Sequence, residues 1–241
     1  MPEHLTALQL VHLREQCEPL AQRAAAEQWP HLDYLAHLIE GEVHRRETRR
    51  IARRIREARF PFVKTLEQFR WDWPKKINRL QVQELFRLKC IADKTNVIFI
   101  GGVGLGKSHL AVALGRSACE HGDTVLFATA VDIINTLVAA HAAGRLKSAL
   151  ARYMKPALLL IDELGYLPID KLGADSLFQI ISQRYEHGAI VITTNRAYKH
   201  WPQIFNNDAT LTSALLDRLL HHAETVLIEG TSYRMKDQIE P

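Results

Sequence analysis

A glycine-rich segment between two apolar segments constrains the fold of this chain more than any other feature. The segment is GGVGLGKS, residues 101–108, and it lies directly between the β-branched run NVIFI and the helical sequence HLAVALGRSACEHG. In the pattern G-x-x-x-x-G-K-S, glycines let backbone N–H groups wrap a phosphate, and the following helix N-terminus adds a favourable dipole. A glycine-rich turn alone would be a weak signal. The strand before it and the helix after it predict a nucleotide-binding loop.

The residues of this loop have separate predicted roles. Lys107 is expected to reach the β- and γ-phosphates of ATP, and the Ser108 hydroxyl is expected to be a ligand of Mg²⁺. The alternative is a turn with a purely structural role. The predicted nucleotide-binding residues are Gly101, Gly102, Val103, Gly104, Leu105, Gly106, Lys107 and Ser108.

An acidic pair follows another apolar run. In ALLLIDELG, Asp162 and Glu163 come directly after the run. We expect Asp162 to be a second protein ligand of Mg²⁺ and Glu163 to polarise the water that attacks the γ-phosphate. The alternative is that the pair only caps the helix that follows. Glu163 and Lys107 are therefore predicted catalytic residues of an ATPase.

A third polar residue ends the run AIVITTN. Asn195 is expected at the tip of a strand beside the acidic pair, where its amide could orient the attacking water. The alternative is a turn-forming asparagine. Because the other two motifs are present, we predict that Asn195 is also a catalytic residue.

Short β-branched apolar runs alternate with longer amphipathic segments after Asn96. Such runs, when buried on both faces and joined by helical crossovers, form a parallel sheet that helices cover. The sequence therefore predicts an α/β fold with a parallel five-stranded sheet. The five runs are NVIFI, TVLFA, ALLLI, AIVIT and ETVLI.

The N-terminal part of the chain has a different pattern. Apolar residues recur near helical spacing from Leu5 to about Arg59, and strand signals are absent. The segment FPFVKTLEQFRWDWPKKINRL follows, and its prolines and tryptophans predict an ordered connector that packs against another element. We predict a small all-α domain with its connector at residues 1–70 and an ATPase domain at residues 71–241.

An arginine-rich segment, HRRETRRIARRIREARFP, precedes the connector. It holds eight arginines and two glutamates in a chain of net charge +4, so the basicity is local. On a helix the arginines share one broad side, which suits contacts with a duplex backbone that do not read bases. A solvated helical face and an acidic protein partner are the alternatives. The predicted DNA-binding residues are Arg45, Arg46, Arg49, Arg50, Arg53 and Arg54.

Several segments together resemble a known family. GGVGLGKSHLAVALG, LLLIDELGYLPI, FQIISQRYE, VITTNRAYKHW and LLDRLLHHAETVLIEGTSYR are similar to segments of the IstB-like ATPases, helper proteins of insertion-sequence transposition. That family is related to the DnaC helicase loaders and to the initiator DnaA. The connector segment ARFPFVKTLEQFRWDW also resembles the family's link, so the resemblance covers most of the chain. It implies an ASCE-type AAA+ P-loop NTPase core with three α/β/α layers, a central phosphate-loop strand and no helical lid.

The resemblance also implies a homo-oligomer with composite ATP sites between subunits. Arg218 in LLDRLLHH matches the arginine that a neighbouring protomer inserts toward the γ-phosphate, where a guanidinium neutralises transition-state charge. Arg234 in TSYR matches a second, phosphate-sensing arginine that would contact the nucleotide. The alternative for both residues is surface charge on a helix and on a tail.

A second basic segment, VDIINTLVAAHAAGRLKSALARYMK, follows the second apolar run. Its pattern predicts two helices broken near Gly144. Initiator-type AAA+ proteins carry an extra helix at this place that lines the DNA channel, so the resemblance implies DNA contacts here. A solvated helical face is the alternative. The residues concerned are Arg145, Lys147, Arg152 and Lys155.

These features together predict an ATP-dependent DNA-binding ATPase that forms oligomers on duplex DNA and assists the transposase of the same insertion sequence. The alternatives are a DnaC-like loader of a replicative helicase and a DNA-bound scaffold that ATP stabilises with little hydrolysis. Scattered cysteines and the lack of an apolar run of about 18 residues predict a cytoplasmic protein with no membrane partner, and the resemblance implies that it is bacterial. ATP and Mg²⁺ are the predicted cofactors.

Overall fold

The first of two compact units is helical. The computed structural model describes residues 2–233, and the division between the units falls between Arg53 and Arg54. No strand occurs among the described residues before Asn96, so the predicted all-helical N-terminal region is confirmed. The helices are α1 (Pro2–Ala7), α2 (Val11–Ala26) and α3 (His31–Ala58), the last of which continues past the division.

A buried polar contact joins α2 and α3 within the first unit. The carboxylate of Glu42, on α3, is buried and accepts a hydrogen bond of 2.7 Å from the backbone N–H of His12, on α2. Gly41 permits this approach, because a Cβ at that position would lie 1.9 Å from Nε2 of His12. Two apolar residues of the unit, Ala24 and Leu38, are buried. The unit is therefore held by polar as well as apolar contacts.

The second unit is built on a five-stranded sheet. Its strands are β1 (Asn96–Gly101), β2 (Val125–Thr129), β3 (Leu158–Leu164), β4 (Ala189–Thr194) and β5 (Ala223–Ile228). All neighbouring pairs are parallel, and the spatial order is β2-β3-β4-β1-β5. The predicted parallel sheet is thus confirmed, with β1 as an interior strand and β4 between β1 and β3.

Helices cover both faces of this sheet. They are α4 (Arg79–Leu85), α5 (Lys89–Ala92), α6 (Lys107–His121), α7 (Ala130–Ala142), α8 (Leu146–Met154), α9 (Lys171–Arg184), α10 (Trp201–Ile204) and α11 (Ala209–Leu220). Val97 and Phe99 of β1 face a hydrophobic cluster that contains α6, whereas Ile98 and Ile100 face a second cluster that contains α7, α9 and α11. The core therefore has three α/β/α layers. Across residues 2–233, none of the helices is long and apolar enough to cross a membrane.

The connector packs with the core. Residues 54–70 belong to the second compact unit, although the composition predicts a domain boundary near residue 70. Phe69 of the connector is buried in the cluster on the α6 side of the sheet, as is Ala58 at the end of α3. Farther along, Nε1 of Trp73 donates a hydrogen bond of 2.9 Å to the Thr231 carbonyl oxygen. These contacts attach the connector to α6 and to the segment after β5, where residues 229–233 form no α-helix.

A buried cation joins three elements of the second unit. The guanidinium of Arg184, on α9, donates to the carbonyl oxygens of Tyr153, Pro156, Ala157 and Ala189. Burial lowers the pKa of Arg184 to about 10. Because these carbonyls belong to the end of α8 and to the beginnings of β3 and β4, one side chain fixes all three.

Candidate functional site

The segment between β1 and α6 has the backbone of a phosphate-binding loop. Gly104 and Gly106 have φ angles of +75° and +87°, which residues with a Cβ rarely adopt. Gly101 lies so close to β5 that a Cβ would come within 2.3 Å of the Ile228 carbonyl oxygen. Helix α6 begins at Lys107, so its first amides follow the loop directly. The predicted loop therefore has a geometric need for each of these glycines.

The Lys107 side chain folds back over this loop. Its Nζ donates a hydrogen bond of 2.6 Å to the carbonyl oxygen of Gly102. The ammonium therefore lies against the loop backbone, on the segment that would surround a phosphate group. The role of Lys107 at the β- and γ-phosphates stays a prediction.

Ser108 and Asp162, the two predicted magnesium ligands, are hydrogen bonded to each other. The Ser108 hydroxyl donates to Oδ1 of Asp162 at 2.8 Å, and the Thr193 hydroxyl donates to the same oxygen. Asp162 is buried near the end of β3, so its carboxylate is held in a fixed place. Hydroxyl and carboxylate oxygens are hard ligands that suit Mg²⁺. The residues present therefore fit this ion.

A bulge in β3 presents Glu163 to solvent. Ile161 and Leu164 both pair with β4, but the register shifts between them, so β3 has an extra residue there. Glu163 has a φ of +60°, a left-handed conformation that costs a non-glycine residue about 1–2 kcal/mol. Its backbone N–H donates to Oγ1 of Thr193 at 3.0 Å, which supports the bulge. A strained backbone at an exposed carboxylate is a feature of functional sites.

A cleft of about 400 Å³ brings the three motifs together. Asn195, directly after β4, lines the cleft with Lys107, Ser108 and Glu163. Parallel strands end at the same edge of a sheet, and β4 lies between β1 and β3, so residues after these strands become neighbours. The structure thus brings together the predicted catalytic residues other than Arg218.

The connector forms a wall of this cleft that the sequence analysis did not predict. Phe69 and Trp73 line the cleft, and a Cβ at Gly106 would lie 2.6 Å from the Phe69 ring. His109, on α6, lies 2.7 Å through Nε2 from the Thr65 carbonyl oxygen. Burial lowers the pKa of His109, which favours a neutral ring that donates from Nε2. The aromatic residues of the connector were the sequence signal for this wall. They predict that the connector packs against another element, but they do not identify that element.

Arg218 lies on a different surface. On α11, its Nη1 donates a hydrogen bond of 3.1 Å to the Ala214 carbonyl oxygen, and its guanidinium carbon lies 5.0 Å from the centroid of the Phe178 ring. Within the part of the chain that the structure describes, the residues that line the cleft do not include Arg218. A role for Arg218 at this protomer's own phosphates therefore has no support from the geometry.

The predicted phosphate-sensing residue Arg234 lies outside the described residues. The segment before it reaches the loop, because the backbone N–H of Tyr233 donates to the Gly104 carbonyl oxygen at 3.0 Å. The Tyr233 side chain lines the cleft and packs edge-on against Trp73, with 5.2 Å between ring centroids. The role of Arg234 stays a prediction.

Part of the arginine-rich helix is paired with acids. The pairs are Arg45–Glu15 at 2.5 Å, Arg46–Glu42 at 3.1 Å and Arg50–Glu47 at 3.6 Å. The hydrogen bond from Arg45 lowers the pKa of Glu15, which lies on a different helix. Arg49 and Arg53 are exposed, whereas Arg54 is half-buried. The segment is helical as predicted, but several of its charges are already compensated.

The cations of the second basic segment lie in a stretch without acids. Gly144, at φ +68°, separates α7 from α8, which confirms the predicted break. No Asp or Glu occurs between Asp132 and Asp162. All four predicted cations are exposed, and none forms a salt bridge within residues 2–233. They are Arg145, Lys147, Arg152 and Lys155.

Comparisons with known proteins place the chain in a family. The sequence model of the family of IstB-like ATP binding proteins matches residues 3–241 of this chain. A relative from Pseudomonas aeruginosa, provisionally named as the ATP-binding protein of insertion sequence IS21, is 38% identical over 234 residues, 97% of this chain and 88% of the relative. A relative from Geobacillus stearothermophilus, with a similar provisional name for insertion sequence IS5376, is 35% identical over 98% of this chain and 94% of the relative.

The fold is also similar to a solved structure of the DnaC helicase loader. The two superimpose with a TM-score of 0.55 at 20% sequence identity, and the match covers 68% of this chain and 96% of that chain. At this identity the likeness concerns the fold alone. It supports the P-loop AAA+ architecture of the second unit.

Proposed function

We propose that this chain, which belongs to the family of IstB-like ATP binding proteins, binds ATP with Mg²⁺ in the cleft and hydrolyses it. One observation carries the proposal, namely that the glycine-rich loop, the carboxylate of Glu163 and the amide of Asn195 line a single cleft. Binding alone would need the loop and the magnesium ligands. An exposed acid and an amide at the ends of neighbouring strands add what hydrolysis needs.

Each side chain has a role in the proposed reaction. Glu163 accepts a proton from the attacking water, and Asn195 orients that water by a hydrogen bond. Lys107 neutralises charge on the phosphates, an electrostatic effect that strengthens when the cleft excludes water. Ser108 and Asp162 would hold Mg²⁺, which neutralises charge on the phosphate oxygens when it is bound.

Substitution of Glu163 tests this proposal. Glu163→Gln keeps the size of the side chain but removes its ability to accept a proton. We expect ATP binding to be retained and hydrolysis to fall on the order of 10²–10⁴-fold. Single-turnover hydrolysis and equilibrium nucleotide binding, measured on the same preparation, separate the two effects.

Glu84→Gln is the matched control, because Glu84 is an exposed acid on α4 that does not line the cleft. Its hydrolysis rate should equal that of the wild type. An unchanged single-turnover rate in Glu163→Gln would exclude Glu163 as the base. A wild-type protein that binds ATP without hydrolysing it would favour the scaffold alternative.

The proposal includes a homo-oligomer in which Arg218 of one protomer completes the cleft of the next. Its support is that Arg218 is held on α11 by Ala214 and Phe178, outside the cleft of its own protomer. We expect Arg218→Ala to retain ATP binding and to lose about 10³-fold or more in hydrolysis, the effect typical of an arginine finger.

A mixture of two inactive variants tests the transfer between subunits. Arg218→Ala protomers carry an intact Glu163, and Glu163→Gln protomers carry an intact Arg218. If the arginine acts in trans, the mixture should hydrolyse ATP faster than either variant does alone. A mixed rate that equals the average of the two separate rates would contradict the composite site.

The proposed partners are duplex DNA and the transposase of the same insertion sequence. The exposed cations of α8 and α3 support the first, and the insertion-sequence names of relatives that match nearly the whole chain support the second. Co-purification on duplex DNA with a slowly hydrolysed ATP analogue tests both. Capture of a hexameric replicative helicase instead of the transposase would favour the loader alternative, for which the DnaC likeness offers only the fold.

A further inference from the structure

Three side chains that commonly bind metals lie together beyond the ends of two helices. Glu186 follows α9, and His221 and His222 follow α11. One ligand atom from each residue lies within 4.8 Å of the ligand atoms of the other two. All three residues are exposed, so an ion could reach them from solvent. None of the three lines the nucleotide cleft.

The chemistry of this cluster differs from that of a magnesium site. Two imidazoles and one carboxylate suit Zn²⁺ and neighbouring transition metals, whereas Mg²⁺ prefers oxygen ligands alone. Three protein ligands also match zinc sites in which a fourth position is open to water. We propose that Glu186, His221 and His222 form a binding site for a divalent transition-metal ion, represented by Zn²⁺.

The Tyr185 hydroxyl supports one of the ligands. It lies 2.9 Å from Nδ1 of His221. When the proton is on Nδ1, the ring donates to the tyrosine oxygen and its Nε2 lone pair is available to a metal. Metal-binding histidines usually have such a partner, which fixes the ring and selects the tautomer. Tyr185 would therefore position His221 without touching the ion.

The end of α11 also favours a cation. His221 is the C-terminal cap of this helix, and the last carbonyls of a helix carry partial negative charge. Glu186 adds a formal negative charge, and Asp217 on α11 is a further acid near Tyr185. Arg218 is a cation near Tyr185, and its charge disfavours a bound metal ion. Its guanidinium contacts Ala214 and Phe178. Because α11 carries Arg218, an ion at its end would restrain the helix that presents this residue.

Zinc binding to the metal-free full-length protein tests the proposal. The protein is treated with EDTA, dialysed, and titrated with ZnCl₂ by calorimetry without nucleotide, so the result does not depend on ATP hydrolysis. We expect the wild type to bind zinc, and we expect Glu186→Gln and His222→Ala to lose this binding. Tyr185→Phe should weaken it about 10–100-fold, the usual effect of removing a partner of a metal ligand.

The matched controls are Glu84→Gln and His141→Ala, which remove an exposed acid and an exposed histidine outside the cluster. Both should bind zinc as the wild type does. Thermal unfolding in EDTA shows whether each variant is folded, and Co²⁺ absorption spectra report nitrogen and oxygen coordination independently. Zinc affinity that is the same in the wild type and in both cluster variants overturns the proposal, as does a wild type that binds no zinc.

Discussion

The two basic regions of the molecule differ in how their charge is compensated. In the arginine-rich helix, three of the predicted DNA-binding arginines lie between 2.5 and 3.6 Å from a glutamate oxygen. In α8 and the residues that flank it, four cations are exposed in a stretch with no acid between Asp132 and Asp162. The arginine-rich helix therefore has more predicted DNA-binding cations than the region of α8, but a larger fraction of them is paired with glutamates.

This difference shows that a count of cations overestimates the charge that is available to DNA. An arginine that already contacts a glutamate must give up that contact, or keep it and bind phosphate less strongly. An exposed cation without such a partner replaces only water and salt ions when it binds phosphate. We therefore expect α8 to contribute more to DNA affinity than α3.

The largest effect should come from neutralising the four cations around α8. The variant carries Arg145→Gln, Lys147→Gln, Arg152→Gln and Lys155→Gln. Each lost phosphate contact removes about 0.9 from the slope of log affinity against log salt, so we expect a decrease of about 3–4 and a loss on the order of 10³-fold near 0.1 M salt. Fluorescence anisotropy with a labelled duplex and an ATP analogue measures both.

A charge-matched variant separates local contacts from net charge. It replaces four exposed lysines elsewhere in the second unit by glutamine, namely Lys75, Lys89, Lys171 and Lys199. This control should bind DNA nearly as the wild type does. A loss as large as that of the α8 variant would mean that overall charge, and not α8, governs affinity.

A smaller effect should follow neutralisation of α3. The variant carries Arg49→Gln, Arg50→Gln, Arg53→Gln and Arg54→Gln. Because Arg50 already contacts Glu47 and Arg54 is half-buried, we expect the salt slope to fall by about 1–2. A decrease equal to that of the α8 variant would remove the distinction between the regions. A slope that does not change would assign the arginines to a protein partner.

The smallest effect should come from removing the glutamate partner of Arg45. Glu15→Gln removes the carboxylate that Arg45 contacts, so DNA affinity should rise a few-fold and the salt slope should increase by less than about 1. The melting temperature should change little, because an exposed ion pair contributes little to stability. A fall in DNA affinity would mean that Glu15 holds Arg45 in the orientation that binds DNA.

The sheet and the phosphate loop could be predicted because their signals are local. Strands that are buried on both faces have continuous apolar runs, and the loop has a fixed spacing between a strand and a helix. The break at Gly144 is a local signal of the same kind. Asn195 could be placed beside Glu163 because parallel strands end at one edge of the sheet.

Other features depend on contacts between distant parts of the chain. The bulge that carries Glu163 requires β4 as a neighbour, and the Thr193 hydroxyl meets Asp162 only because of the strand order. The pair Arg45–Glu15 joins residues 30 positions apart on separate helices. The wall that Phe69 adds to the cleft depends likewise on tertiary packing. No periodicity in the sequence reports such contacts.

The hydrogen bonds of Arg184 give α8 a mechanical property. Its guanidinium joins the end of α8 to the beginnings of β3 and β4, the two strands whose opposite ends carry Glu163 and Asn195. A force on α8 would therefore be transmitted to β3 and β4 and would act along the length of these strands. If α8 binds DNA as proposed, Arg184 would couple the bound helix rigidly to β3 and β4, the strands that end at the cleft.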